Sequence, residues 1–307
     1  MLRITADIFS GRPAPEWIIT DEEEARATLK EIAKNRSIVA ETASAEAGLG
    51  FRGFTIEPLS DELAQDFELP ASMYMAAGAS ATSDKANEIA ERLIGSMSSV
   101  RSSSEASAFG GELPLDEMLQ NFLRQQLESS SRISVSDVKD LPKMTVEGSG
   151  EVAATCVYDT SPYNPGFWNN NPVILKNNNC YNYASNKRTD TFAQPGRGCG
   201  HIYTAINCVE VTKASLCDGL HKRYNCFPAS EASRYLVALV IAPGPGFVDF
   251  HWYRKMQGGF WGHKPGGTAV RNVDNSGVVI TDPATCNRGP YTIFCGYFYT
   301  CKSQKIN

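Results

Sequence analysis

Three side chains in the second half of this 307-residue chain have the types and order that nucleophilic acyl chemistry uses. Cys180 follows Asn177-Asn178-Asn179, after an apolar run, Pro172-Val173-Ile174-Leu175, that reads as extended. The Asn residues break that run, and a helix can begin at Cys180 and continue through Tyr181-Asn182-Tyr183-Ala184. A thiol at a helix N-terminus feels the positive end of the helix dipole and unpaired backbone N–H groups. Both favour the thiolate, and the same N–H groups can face an oxyanion during acyl transfer. His251 lies 71 residues on, in the strand-like run Asp249-Phe250-His251-Trp252-Tyr253-Arg254, and His263 another 12 beyond it. An ordinary thiol is barely ionised at neutral pH, so a neighbouring imidazole must take its proton. That imidazole needs a further group to hold it in one tautomer. Cys180 as nucleophile, His251 as base and His263 as orienting group fill these roles. A second assignment pairs Cys180 with His263, oriented by Asn272 or Asp274. Asn179, Trp252 and Trp261 are the candidates for substrate contact, with Tyr253 beside them; aromatic residues on strands equally serve sheet packing.

Positioning these residues takes a helix and a hairpin sheet. Tyr235 to Ile241 is a continuous apolar run, the pattern of a central strand buried on both faces. Pro243-Gly244-Pro245-Gly246 turns the chain into a strand from Val248 to Arg254. Gly258-Gly259 then makes a hairpin turn into Phe260-Trp261-Gly262-His263, and Tyr291 to Tyr299 gives a last strand. On paired strands, His251 and His263 can face the same side. A second helix is expected over Ala205 to Cys217, ended by Asp218-Gly219, and Tyr158 to Asn171 reads as an irregular arm.

A Cys at a helix tip, followed by an antiparallel hairpin sheet carrying His, resembles the core of papain-fold cysteine hydrolases over about residues 170–300. The second His about a dozen residues after the first resembles the Cys-His-His variant of NlpC-like amidases and peptidases. The resemblance implies an α+β domain with Cys180 as nucleophile, His251 as base and His263 as its orienting group. It further implies hydrolysis or acyl transfer on an amide or peptide bond through an acyl-enzyme, with no cofactor.

The first half is composed differently. Residues 1–150 carry 14 Lys/Arg against 25 Asp/Glu, a net of −11, and residues 151–307 carry 15 against 9, a net of +6. Such asymmetry suggests two separately built domains, a small acidic α/β domain at 1–140 and a Cys-rich domain at 141–307. Leu2 to Phe9 alternates in strand fashion and is expected to pair with Gly50 to Ile56. Acids after Thr20 start a helix whose apolar face is Ala25, Leu29, Ile32 and Ala33, and Ser83 to Ser96 is a second amphipathic helix. The Ser-rich stretch 98–111 reads as a flexible loop. Leu115, Met118, Leu119, Phe122, Leu123 and Leu127 form a stripe suited to docking on the neighbouring domain, where opposite charge would hold the first half over Cys180. No glycine cluster has the spacing of a phosphate loop.

All nine cysteines and all four histidines lie in the second half. Beside Cys180, the other eight could form four bridges in an oxidising compartment or stay as small buried hydrophobes; pairing is not legible. Cys199, His201, Cys208, Cys217, His221 and Cys226 cluster, but no paired C-x-x-C knuckle is present, so no metal is expected. Scattered basic residues without interleaved aromatics argue against nucleic acid. The longest apolar run, Tyr235 to Ala242, is too short to cross a bilayer. Met1 to Asp7 lacks the apolar core of a signal peptide, whereas the cysteine content points to a secreted chain. The rival to a hydrolase is a non-catalytic, disulfide-rich structural or binding protein on the same scaffold. The state of the Cys180 thiol separates the two.

Overall fold

Leu2, Ile4 and Ala6, all fully buried, alternate with Arg3, Thr5 and Asp7, and this period of two makes the first strand, β1 (Leu2–Asp7). The structure, a computed structural model, describes residues 1–43, 48–97, 117–130, 156–222 and 226–307. β2 (Glu16–Ile19), β3 (Val39–Ala40), β4 (Gly53–Pro58) and β5 (Met73–Ala76) join β1 in an antiparallel sheet ordered β2-β1-β4-β5-β3. The expected pairing of the first strand with the Gly50–Ile56 segment is present as β1 against β4, Ile4 opposite Ile56.

Helices cover this sheet with the faces the pattern foretells. α1 (Glu22–Lys34) is capped by Asp21, whose side chain accepts from Glu24 N at 2.8 Å, and it buries Ala25, Leu29 and Ile32. α2 (Asp61–Gln65) is a short turn. α3 (Asp84–Gly95), capped by Ser83, buries Ile89, Leu93 and Ile94. α4 (Glu117–Ser130) buries Leu119, Leu123 and Leu127. The Ser-rich stretch 98–111 and the expected boundary near residue 140 lie outside the described residues.

The second half begins with α5 (Gly166–Asn169), α6 (Pro172–Asn177) and α7 (Cys180–Ser185). α6 corrects the extended reading of Pro172–Leu175. Asn171 accepts from Val173 N and Ile174 N, and Pro172 occupies the first helical position, where a missing N–H costs nothing. α8 (Cys208–Cys217) follows, then β6 (His221–Lys222), β7 (Leu236–Pro243), β8 (Val248–Lys255), β9 (Trp261–His263) and β10 (Ile293–Tyr299). The strands form a second antiparallel sheet ordered β6-β10-β7-β8-β9. The fold class is therefore α+β, with two antiparallel sheets.

β7 is buried on both faces. Leu236, Ala238, Val240 and Ala242 join a core that also contains Leu2, Ile4, Leu29, Ile89 and Leu123, so the two halves share one apolar interior. Val237, Leu239 and Ile241 face a second core with Phe250, Trp252, Cys180, Tyr181, Ala184, Val211 and Ala214. This second core lies beneath α7 and α8.

Candidate functional site

Cys180 is the first residue of α7, as its sequence context suggests. Asn179 caps the helix: its Oδ1 accepts from Tyr181 N at 3.0 Å and Asn182 N at 3.2 Å, while Asn182 Oδ1 accepts from Asn179 N at 3.1 Å. The Nδ2 of Asn179 donates to Gly11 O at 2.9 Å and Ala193 O at 2.8 Å. Every hydrogen-bonding group of Asn179 is thus used internally. Cys180 is fully buried, and its Sγ lies 4.0 Å from Phe250 O. Burial, with the nearby Asp249 charge second, pushes the thiol well above its ordinary pKa. The expected thiolate is reversed because a six-residue helix in a dry core stabilises charge less than the lost water did.

The structure joins the two imidazoles. His263 Nε2 is 3.0 Å from Val273 O, so this nitrogen carries the proton. His263 Nδ1 then accepts from His251 Nε2 at 2.9 Å, and His251 Nδ1, also buried, has no hydrogen-bond partner. Burial lowers both pKa values, His263 to about 3 and His251 well below its usual range. Both rings are neutral at pH 7. Along β8, His251 shares a face with Asp249 and Tyr253. Phe250 and Trp252, which pack with Cys180, occupy the other face. Asp274, offered as an orienting group, instead accepts from Ser276 N, Val278 N and Asn287 N. Trp252 sits between Tyr181 and Phe298, and Trp261 lies against Tyr297 with Lys255 over its ring; both indoles are buried.

Around these residues is a polar shell that residue types alone did not disclose. The buried carboxylate of Asp249 accepts from Ser10 N at 2.6 Å, Gly11 N at 3.2 Å, Arg12 N at 3.1 Å and Tyr291 OH at 2.6 Å. Burial raises its pKa against these bonds. Gly11 is required there, since a Cβ would fall 2.4 Å from the Phe250 ring. Gln194 Nε2 also donates to Gly11 O, at 2.7 Å. Lys264 is fully buried, and its Nζ donates to Leu175 O at 2.6 Å and Gly266 O at 2.7 Å. Burial holds it down to about 7. The available signal was a charged residue close to each histidine in otherwise apolar or glycine-rich sequence, Asp249 two positions before His251 and Lys264 next to His263. The first-half loop Ser10–Arg12 thus lies directly on the cap of the Cys180 helix and on β8. A cleft of about 460 Å³ opens where the halves meet, lined by Leu49, Phe51, Phe122, Gln126, Asn275 and Pro290 among others; none of the six candidate site residues lines it.

Six cysteines form bridges: Cys156–Cys226, Cys199–Cys217 and Cys208–Cys295. Cys180, Cys286 and Cys301 are free, so Cys286 and Cys301 do not supply a fourth bridge. The cysteines that suggested a metal cluster are consumed by these bonds. No group of three or more His, Cys, Asp or Glu arranged for a metal occurs among the described residues. No helix among them is long and apolar enough to cross a membrane.

Fold and site together define a disulfide-stapled α+β protein whose candidate nucleophile is closed off from water. No family model and no solved structure matches the chain. Among curated proteins, it is 44% identical to insoluble matrix shell protein 1 of Ruditapes philippinarum over 146 residues, 47% of this chain and 93% of that protein. The chain belongs to the family of that shell protein. This relationship overturns the resemblance to papain-fold, NlpC-like hydrolases, and the hydrolase and thiol-protease reading with it. The features that prompted the resemblance, a Cys at a helix tip and two His on a hairpin, are general to α+β packing and do not carry the chemistry by themselves.

Proposed function

We propose that this chain is a non-catalytic structural protein of an extracellular matrix, as the name of its relative suggests. The observation that carries the reading is the sealing of Cys180: fully buried in a core with Phe250 and Trp252, held as a thiol, on a helix whose cap Asn179 is bonded to the Ser10–Arg12 loop. A nucleophile needs its thiolate and a path for substrate. In this reading Cys180, His251 and His263 serve as interior packing and hydrogen-bonding residues, and Asn179, Trp252 and Trp261 as cap and core. The three bridges fit an oxidising compartment, and both halves act as one mechanical unit through their common core.

Iodoacetamide labelling of the native protein, mapped by mass spectrometry, tests this. Cys286, half-buried, should be modified first, and Cys180 and Cys301 only on unfolding. Fast labelling of native Cys180, abolished in His251→Ala, would sink the proposal.

A further inference from the structure

We infer that Asn35 is an N-glycosylation site, taking an oligosaccharide on its side-chain amide nitrogen; the inference rests on the extracellular reading above. Asn35-Arg36-Ser37 is the only Asn-x-Ser/Thr triplet, x not Pro, in the sequence. It stands at the C-terminal end of α1, where the chain leaves the helix through a single 3-10 turn, Arg36–Ile38. Arg36 and Ser37 are exposed and Asn35 is half-exposed. The hydroxyl that completes the triplet is therefore at the surface, and a sugar can leave without crossing the core.

The local hydrogen bonding tolerates the substituent. Asn35 Nδ2 donates to Glu31 O at 2.8 Å, which satisfies one terminal carbonyl of the helix. A primary amide carries two N–H bonds, and glycosylation replaces one. The other remains for Glu31 O, and the helix end keeps its cap. In the transfer, Nδ2 of Asn35 bonds to the anomeric carbon of a lipid-linked oligosaccharide. The bond from that carbon to the lipid diphosphate breaks, the diphosphate leaves with the electron pair, and the amide gives up one proton. The compartment that carries out this transfer in secretory cells is also the one that oxidises cysteines, which connects the site to the three bridges.

The test uses the full chain behind a heterologous signal sequence, as wild type, Ser37→Ala and Ser37→Thr, in a eukaryotic secretory host and in translation with microsomes. Peptide mass spectrometry around position 35 follows release of glycans by an amidase that leaves aspartate in place of glycosylated asparagine. Wild type and Ser37→Thr should carry aspartate at position 35 after release, and Ser37→Ala should keep asparagine. Ser37 is exposed, so neither variant threatens the fold. Secreted wild type with its three bridges formed and Asn35 unmodified would overturn the inference and leave the matrix reading standing. Occupied Asn35 in a chain whose cysteines stay reduced would do the reverse. If the chain is not secreted, occupancy in microsomes decides, because transfer needs only the nascent chain; an unmodified product there overturns the inference.

Discussion

The two sheets use the same antiparallel pairing but keep their interiors by different means. Around the first sheet, buried positions are almost all aliphatic or aromatic, and the first half itself supplies no cysteine; Cys156 and Cys286 reach that core from the second half. The main ionic exception is Arg52, fully buried and paired with Asp7, with further bonds to Gly50 O at 2.9 Å and Phe9 O at 3.1 Å. Around the second sheet lie three disulfides and buried Asn179, Asn182, Asp218, Asp249, His251, His263 and Lys264. Tyr181 OH, Gly196 N and Cys199 N converge on Asp218, whose burial raises it to about 6. One region is stabilised by volume and the other by specific long-range bonds. The second kind resists local opening, because covalent bridges hold segments that are far apart in sequence.

Removing bridges should break this contrast most strongly. Cys208–Cys295 closes a separation of 87 residues and Cys199–Cys217 one of 18. On the chain-entropy account, replacing the first pair by Ala costs about 4–5 kcal/mol and the second about 3 kcal/mol. Urea unfolding with and without reductant measures both, and the reverse ranking would show that strain relief, not loop closure, governs this region.

Next in size is the seam between the regions. Asp249→Ala leaves Ser10 N, Gly11 N, Arg12 N and Tyr291 OH without their acceptor. Each buried donor left unpaired costs about 1–3 kcal/mol, so a total of at least about 3 kcal/mol is expected. A loss below about 1 kcal/mol would mean that water reaches the loop and that the seal over Cys180 is weak. Leu29→Ala, in the first region, should cost about 2–4 kcal/mol by cavity formation and be indifferent to reductant. Sensitivity to reductant in that variant's loss would show that the bridges also support the first region across the shared core.

The contrast also explains what could be read from sequence. Strand alternation gave β1, helical periodicity α1 and α3, and a continuous apolar run with the Pro/Gly turn after it β7 and β8, because packing against an apolar core follows residue type. The start of α1 was legible from the acids that follow Thr20, which suit a helix N-terminus. α6 was misread because Val173 and Ile174 favour strands while its cause, the Asn171 cap, is a local hydrogen bond. The His251–His263 contact was legible from hairpin spacing. The fate of Cys180 was not: it packs against Phe250 and Trp252, some 70 residues later, and the Ser10–Arg12 loop bonded to its helix cap comes from some 170 residues earlier in the chain. The bridging partners were illegible too, since spacing fixes no pairing.

The smallest effect is the most specific to the second region. Lys264 has an ordinary pKa of 10.5, and in the fold burial holds it down to about 7. Between those values the unfolded chain binds a proton that the native protein does not. Stability therefore rises with pH through the window, and the destabilisation is complete below about 7. The slope can reach about 1.4 kcal/mol per pH unit for a single proton. Above about pH 8.5 the thiols intervene with the opposite sign. Cys286 is raised to about 11 and burial also raises Cys180 well above its ordinary value, so the unfolded thiols ionise first and stability falls. Below about 6.5, His263, lowered to about 3, makes the protein lose stability as pH falls, while Asp218, raised to about 6, works against that trend. The clean interval is thus about pH 7 to 8.5, where the urea midpoint of wild type and Leu29→Ala should rise together. In Lys264→Met, Leu175 O and Gly266 O lose their donor, so the midpoint is lower, but it should be flat with pH. A flat wild-type profile would mean that Lys264 stays charged in the fold with water at its Nζ. The second interior would then be wet, and the distinction between the two regions would rest on the bridges alone.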